Sequence, residues 1–213
     1  MSNEFGYIPE SPEQSFGNNK GIFTPTDIYD LTRADKYTNY GQLELIETKS
    51  ADNSTATIDF DTLGNFKVHF LTANDVSGAS TTAQDIKIRV KVGGTAQSSG
   101  YQKALVNGQS DGTFFEDNGT SENGFIYLPD VDNETNAKAN GYSYIYQAIN
   151  STKYTFSTYH SEVFQSAVGA RFRFGSNVFA TANSCSGFRL TTTTAGGNIK
   201  TGTFSLYGIK EYS

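Results

Sequence analysis

A two-residue alternation of apolar and polar side chains runs through most of this chain. It is clearest in residues 202–209 near the C-terminus and in the uninterrupted run from Ile86 to Val92. Successive side chains of a β-strand point to opposite faces of the sheet, so this period predicts strands with one buried face. The C-terminal strand is expected to complete a sheet, so the fold should need both ends of the chain.

Segments with this period after residue 41 predict eleven strands. The 13 Tyr and 16 Phe residues favour strands, and 21 glycines supply tight connections between them. The segment 108–123 is polar and is expected to be a loop. Short strands without a repeating unit favour an all-β, jelly-roll-like antiparallel β-sandwich. The predicted strands are residues 42–47, 55–60, 66–72, 85–92, 101–106, 124–128, 142–149, 153–160, 170–174, 188–193 and 203–209.

The first 41 residues show a different pattern from the rest of the chain. Thr24 and Pro25 predict the entry of one short helix over residues 26–36, which should end before Gly41. Residues 1–24 have no period and predict an extended arm, either a loose tail or a segment that docks on a neighbouring subunit. We therefore divide the chain into an assembly segment, 1–41, and a sandwich domain, 42–213. The apolar anchors of the arm are Phe5, Tyr7, Ile8, Phe16, Ile22 and Phe23.

Composition excludes several classes of function. The net charge of −6 opposes binding to nucleic acid through phosphate contacts. The single cysteine, Cys185, rules out an internal disulfide and a cysteine-based zinc cluster. The N-terminus lacks the features of a cleaved signal, and no apolar stretch is long enough to span a bilayer, so we expect neither secretion by a signal peptide nor membrane insertion.

One acidic loop has the chemistry of a calcium site. Asp130, Asp132 and Glu134, with Asn133 between them, place several oxygen ligands close together in the sequence, as a hard cation requires. The spacing departs from the EF-hand loop, because no glycine occupies the sharp-turn position and the late glutamate is missing. The alternative is a solvated acidic turn, and no other cofactor is expected.

Catalytic residues are not indicated by any motif. His69 and His160 lie in or at the end of predicted strands, without a nucleophile elbow or a metal-binding helix pattern beside them. Glu116, Asp117 and Glu122 offer carboxylates for a glycosidase pair, but they lie in the expected loop. We therefore expect structural or surface roles for these residues and a protein that is not an enzyme.

Three tyrosines share one face of a predicted strand. Tyr142, Tyr144 and Tyr146 alternate with Ser143 and Ile145. Such a row suits a platform on which sugar rings stack, since a tyrosine ring covers the apolar face of a sugar while its hydroxyl bonds to the rim. It suits the core or a subunit interface equally well.

Several segments resemble small structural proteins of tailed bacteriophages from aquatic environments. The segments are residues 23–31, 41–47 and 66–72, together with 154–160 and 202–210. The resemblance implies a non-enzymatic virion protein, made in the host cytoplasm and exposed on the particle in many copies. Its position, as capsid decoration, tail fibre or baseplate component, is left open. Implied partners are other virion proteins and further copies, by analogy as a homotrimer.

Two other functions remain open on the residues alone. The tyrosine row is consistent with a glycan-binding module that recognises a receptor on the host cell surface. The acidic loop and His69 are consistent with a calcium-stabilised hydrolase.

Overall fold

A computed structural model describes residues 14–15, 18–19, 24–34, 42–136, 138–165, 169–193 and 197–210. The chain divides into two compact units, Met1–Tyr40 and Gly41–Ser213. The expected anchors of the arm lie outside the described residues; these are Phe5, Tyr7, Ile8, Phe16, Ile22 and Phe23.

The first unit contains the helix expected from the sequence. Helix α1 spans Pro25–Arg33, with Thr24 as its N-cap. The Thr24 hydroxyl accepts a hydrogen bond from the Asp27 amide at 3.2 Å, and the Asp27 carboxylate accepts one from the Thr24 amide at 2.8 Å. This reciprocal capping satisfies amides that have no partner inside the helix. Two short strands, β1 (Gln14–Ser15) and β2 (Asn18–Asn19), pair antiparallel. No helix in the described ranges is long and apolar enough to cross a membrane.

The second unit is built on an eight-stranded sheet in which every neighbouring pair is antiparallel. The strand Ile199–Ile209 lies between Leu43–Ser50, the first strand of the unit, and Val68–Gly78, so the sheet uses both ends of the domain, as the alternation near the C-terminus predicts. In spatial order the strands are β3 (Leu43–Ser50), β15 (Ile199–Ile209), β5 (Val68–Gly78), β11 (Ala139–Tyr146), β12 (Thr155–Gln165), β13 (Gly169–Phe179), β8 (Tyr101–Gln109) and β9 (Phe114–Glu122).

A five-stranded sheet forms the other layer of the sandwich. Its order is β10 (Phe125–Val131), β6 (Gln84–Val92), β14 (Gly187–Thr192) and β4 (Thr57–Phe60), and β7 (Thr95–Ala96) pairs with β6. Ile86, Ile88 and Val90 of β6 are fully buried, as their alternation predicts. The predicted fold class, an all-β antiparallel sandwich, is confirmed. The largest fully buried apolar side chains of its core are Tyr101, Tyr127, Phe60, Phe125, Phe188, Phe204 and Leu71.

Two strands of the second unit, the two-residue β7 and the longer β9, were not predicted. Residues 108–123, expected to be a loop, contain the end of β8 and the whole of β9. Strand β9 is at the edge of the sheet and pairs only with β8, and most of its side chains are exposed. An edge strand of this kind buries no apolar face, so its sequence carries no two-residue period. Glu116, Asp117 and Glu122 therefore lie on a strand.

Candidate functional site

The central strands of the eight-stranded sheet point their aromatic rings away from the core. In β11, Tyr142 is 41% exposed, whereas Ser143 and Ile145 are buried. Strand β12 alternates strictly between buried and exposed positions, and Phe156, at 47% exposure, is on the outward side. The rings at these outward positions are thus presented to solvent, whereas Tyr159, at an inward position of β12, is buried.

The outward rings form one continuous surface, which we call the aromatic face. It consists of Phe70, Phe114, Tyr142, Tyr144, Tyr146, Phe156, His160, Phe172, Phe174 and Tyr207. Consecutive ring contacts join rings on β15, β5, β11, β12, β13 and β9, and the last contact passes over Gly108 of β8, so the row spans seven strands. The centroid distances are 6.2 Å for Tyr207–Phe70, 4.7 Å for Phe70–Tyr144, 6.0 Å for Tyr144–Tyr142, 5.8 Å for Tyr142–His160, 6.5 Å for His160–Phe172 and 6.1 Å for Phe172–Phe114.

The outer face of the five-stranded sheet has the opposite character. Arg189 forms a bidentate pair with Asp59, with nitrogen–oxygen distances of 2.6 and 2.5 Å, and Lys91 lies 3.5 Å from the same carboxylate. The hydrogen bonds from Arg189 lower the pKa of Asp59. The charged side chain of Arg89 lies on the same outer face. One outer face of the sandwich is thus an ordinary charged surface, and the other is aromatic.

The aromatic face has relief rather than a deep cleft. A polar hollow of about 330 Å³ beside Tyr142 is lined by Thr72, Asn74, Asn140 and Glu162. A second hollow, of about 650 Å³, lies next to Phe174 and is floored by small residues: Ala104, Gly175 and Ser176. A third hollow, of about 490 Å³, lies along the tyrosine row and borders both of the others. The surface therefore combines projecting rings with open depressions.

Polar side chains on the inward side of the same strands hold β10 in place. Asn177 accepts a hydrogen bond from the Ile126 amide at 3.1 Å, and its amide group donates to the Ile126 carbonyl at 3.3 Å. Arg173 is only 6% exposed and donates to Asn107 and Asp130. The bonds from Asn177 to Ile126 and from Arg173 to Asp130 join the eight-stranded sheet to β10, which favours these polar residues on the inward side and leaves the rings between them facing outward.

The acidic loop does not assemble into a metal site. The Asp130 carboxylate accepts hydrogen bonds from Arg171 and Arg173. Asp132 is nearly buried, and its carboxylate accepts from the Glu134 amide at 3.1 Å in a local turn. Within the described ranges, no group of three His, Cys, Asp or Glu side chains is placed to hold a metal ion. Two guanidinium groups thus provide the positive charge that the calcium hypothesis assigned to a cation.

The two histidines lie on opposite sides of the sheet. His69 is fully buried; its Nε2 lies 2.8 Å from the Leu63 carbonyl oxygen, and its ring meets Phe66 and Phe188 edge to face. Burial lowers the pKa of His69, and its Nδ1 has no hydrogen-bond partner. His160 belongs to the aromatic face. The structure therefore does not bring them together.

Two of the three carboxylates considered for glycoside hydrolysis form ion pairs with lysines, and the third lies at the border of a hollow. Asp117 pairs with Lys103 at 2.8 Å, and Glu122 pairs with Lys87 at 3.1 Å. Glu116 lies at the border of the hollow beside Phe174. These pairings give Asp117 and Glu122 a structural role between β9 and its neighbours.

Cys185 is buried, and its Sγ lies 3.6 Å from the Thr155 hydroxyl. Burial raises the pKa of this thiol, which keeps it in the less reactive protonated form.

Sequence reasoning identified three members of the aromatic face, Tyr142, Tyr144 and Tyr146, and missed the others. A usable signal existed in β13, where Phe172 and Phe174 alternate with Arg171, Arg173 and Gly175. That alternation shows that the two rings share a face. It does not show that the arginine side is the buried one.

Comparison with known proteins does not assign this chain to a family. No protein-family model, no curated protein and no solved structure matches the chain.

Proposed function

We propose that this protein is a non-enzymatic structural component of a larger assembly and that the aromatic face is its contact surface. The observation that carries the proposal is the unbroken row of ring contacts from Tyr207 to Phe114, exposed on one side of the sandwich only. Large contiguous apolar patches on soluble domains mark interaction surfaces.

The energy available from covering this face suits an assembly contact. An aromatic side chain offers roughly 200 Å² of surface, so a half-exposed ring leaves about 100 Å² in water. Burying that area is worth about 2.5 kcal/mol at 25 cal/mol per Å². Four such rings, at Phe114, Tyr142, Phe156 and Phe174, would contribute on the order of 10 kcal/mol. This gross gain is comparable with the cost of association, so a partner must cover most of the face.

The roles of the titratable groups support a structural function over a catalytic one. His69 is enclosed by Phe66 and Phe188, and Asp130 is held by two arginines. Each of these groups thus has a place in the packing of the fold.

In its specific form, the proposal follows the resemblance to tailed-phage structural proteins. The protein would be a virion component, as capsid decoration, tail fibre or baseplate protein. Residues 1–41 would dock it to the particle, and the sandwich would face outward.

Purified particles test this proposal directly. Mass spectrometry and antibody labelling in electron microscopy should find the protein in many copies per particle. A chain lacking residues 1–24 should be incorporated at reduced occupancy. Absence of the protein from particles would refute the structural function, and full occupancy without residues 1–24 would refute docking by the arm.

A second candidate function is glycan binding, which the polar hollow beside Tyr142 favours. Asn74, Asn140 and Glu162 supply donors and acceptors for sugar hydroxyls next to the rings of Tyr142 and Phe70. A glycan array should then give a defined hit that Tyr142→Ala abolishes. The matched control is Tyr29→Ala, because Tyr29 is an exposed tyrosine on α1, outside the sandwich. No hit, or equal binding by both variants, would exclude this function.

A further inference from the structure

We propose that the occupant of the aromatic face is a second copy of this chain, packed face to face about a two-fold axis. This inference rests on the proposed assembly function and names the partner for its contact surface.

The size of the face fits a stable pair. Seven strands about 4.8 Å apart span roughly 29 Å, and seven residues at about 3.4 Å extend roughly 24 Å along each strand. The projected area is therefore about 700 Å², and side-chain relief increases the area that a partner buries. Stable interfaces bury about 800 Å² on each side. Two sheets can meet in this way at a spacing of about 10 Å, as the layers of a sandwich do.

The charge distribution is compatible with an identical partner. The outward neighbours of the ring row include the uncharged Thr72, Thr158 and Ser176, whereas the charged Glu162 and Glu116 lie toward the end of the row that carries Phe172 and Phe114. A two-fold axis can place this end of each copy over the uncharged end of the other, so the carboxylates of the two copies do not meet, although the whole chain carries a net charge of −6. The outer face of the other sheet, with its Arg189–Asp59 and Lys91 ion pairs, has no such apolar surface to bury.

The aromatic face carries both a projecting ring and a hollow that could receive the same ring of a second copy. Phe174, 49% exposed, projects beside the hollow floored by Ala104, Gly175 and Ser176. In a two-fold pair, a ring of one copy can enter the hollow of the other, and the same contact is made twice.

A three-fold arrangement would use the surface differently. Each protomer of a trimer contributes two different patches, one to each neighbour, whereas the aromatic face is one continuous patch. We therefore propose a pair for this contact in place of the trimer that the resemblance implies.

The test is the mass of the purified full-length protein in solution. Sedimentation equilibrium and light scattering should give twice 23.2 kDa. The dissociation constant should change little between 50 and 500 mM NaCl, because the contact is apolar rather than ionic.

Charge placed on the face should separate the copies. Phe174→Glu should weaken the pair at least 100-fold, and Phe156→Glu provides an independent second site in case the first variant folds poorly. The control is Thr57→Glu, which adds the same charge at an exposed strand position on the other sheet and should leave the pair intact. Circular dichroism and thermal melts check that each variant keeps the fold.

Three outcomes would overturn the inference: a wild-type monomer at 100 µM, a mass three times that of one chain, or a pair that tolerates both glutamate substitutions. A monomer that is nevertheless found in particles would refute the pairing alone, because another protein would then cover the face. A stable pair that is absent from particles would refute the virion function alone.

Discussion

Three buried tyrosines allow the energetics of this core to be tested with one chemical change. Tyr101 and Tyr127 are fully buried, and Tyr159 is 4% exposed. Burial raises the pKa of all three hydroxyls, so each is protonated at neutral pH. Replacement by phenylalanine removes one oxygen in each case. The consequences should differ, because the three hydroxyls have different partners.

The Tyr101 hydroxyl satisfies a backbone donor. It accepts a hydrogen bond from the Val90 amide at 2.9 Å and donates to the Gln97 carbonyl at 3.3 Å. Tyr101→Phe leaves the Val90 amide buried without that partner, which should lower the free energy of unfolding by about 1–3 kcal/mol.

The Tyr127 hydroxyl is only a donor. It lies 3.2 Å from the carbonyl oxygens of both Leu71 and Gly141. Tyr127→Phe removes hydrogen bonds without orphaning an amide, so we expect a smaller loss, about 0.5–1.5 kcal/mol.

The Tyr159 hydroxyl has no hydrogen-bond partner. Burying a hydroxyl without a partner is unfavourable, so Tyr159→Phe should leave stability unchanged or raise it by up to about 1 kcal/mol. The predicted order of stability is therefore Tyr159→Phe, then Tyr127→Phe, then Tyr101→Phe as the least stable.

Urea unfolding at pH 7, followed by circular dichroism, measures all three variants. The protein concentration must be the same throughout, because self-association links stability to concentration. Unchanged m-values would show that the variants unfold from comparable states. A Tyr159→Phe loss as large as that of Tyr101→Phe, or a neutral Tyr101→Phe, would refute the assignment of these hydrogen bonds.

Three further predictions follow from single sites. Burial lowers the pKa of His69, so the unfolded chain binds the proton more readily and the free energy of unfolding should fall as pH drops below about 6.5. In unfolding measured as a function of pH, His69→Phe should reduce this dependence. An equal dependence in the variant would show that another group is responsible. Gly175→Ala would place a Cβ 2.5 Å from the Ala104 carbonyl oxygen and should cost about 1–3 kcal/mol in urea unfolding, while Ser176→Ala should cost less than about 0.5 kcal/mol. Asp130→Asn should lower stability by about 2 kcal/mol, because Arg171 loses its counter-charge and Arg173 retains the more distant Asp85 carboxylate at 3.8 Å. EDTA should not shift the wild-type melting temperature, whereas a calcium-dependent rise would instead support the metal hypothesis.

Local patterns predicted much of the fold. The alternation from Ile86 to Val92 predicted a strand with one buried face, and β6 is that strand. The predicted strands 142–149 and 153–160 correspond to β11 and β12, which pair antiparallel. Thr24 and Pro25 predicted the start of α1, because these residue types favour a helix N-terminus without any tertiary contact. Strand β9 was missed because an exposed edge strand has no buried side to mark it.

The sequence by itself determined which side chains share a face, since neighbours on a strand must point in opposite directions. It placed Tyr142, Tyr144 and Tyr146 together and set His69 apart from Val68 and Phe70. Only the tertiary structure decided which of the two faces is covered. A period of two is the same whichever side is buried, and the choice depends on where the second sheet packs. Here β10 packs against the side that carries Asn177 and Arg173, so the polar side chains are buried and the rings remain in solvent.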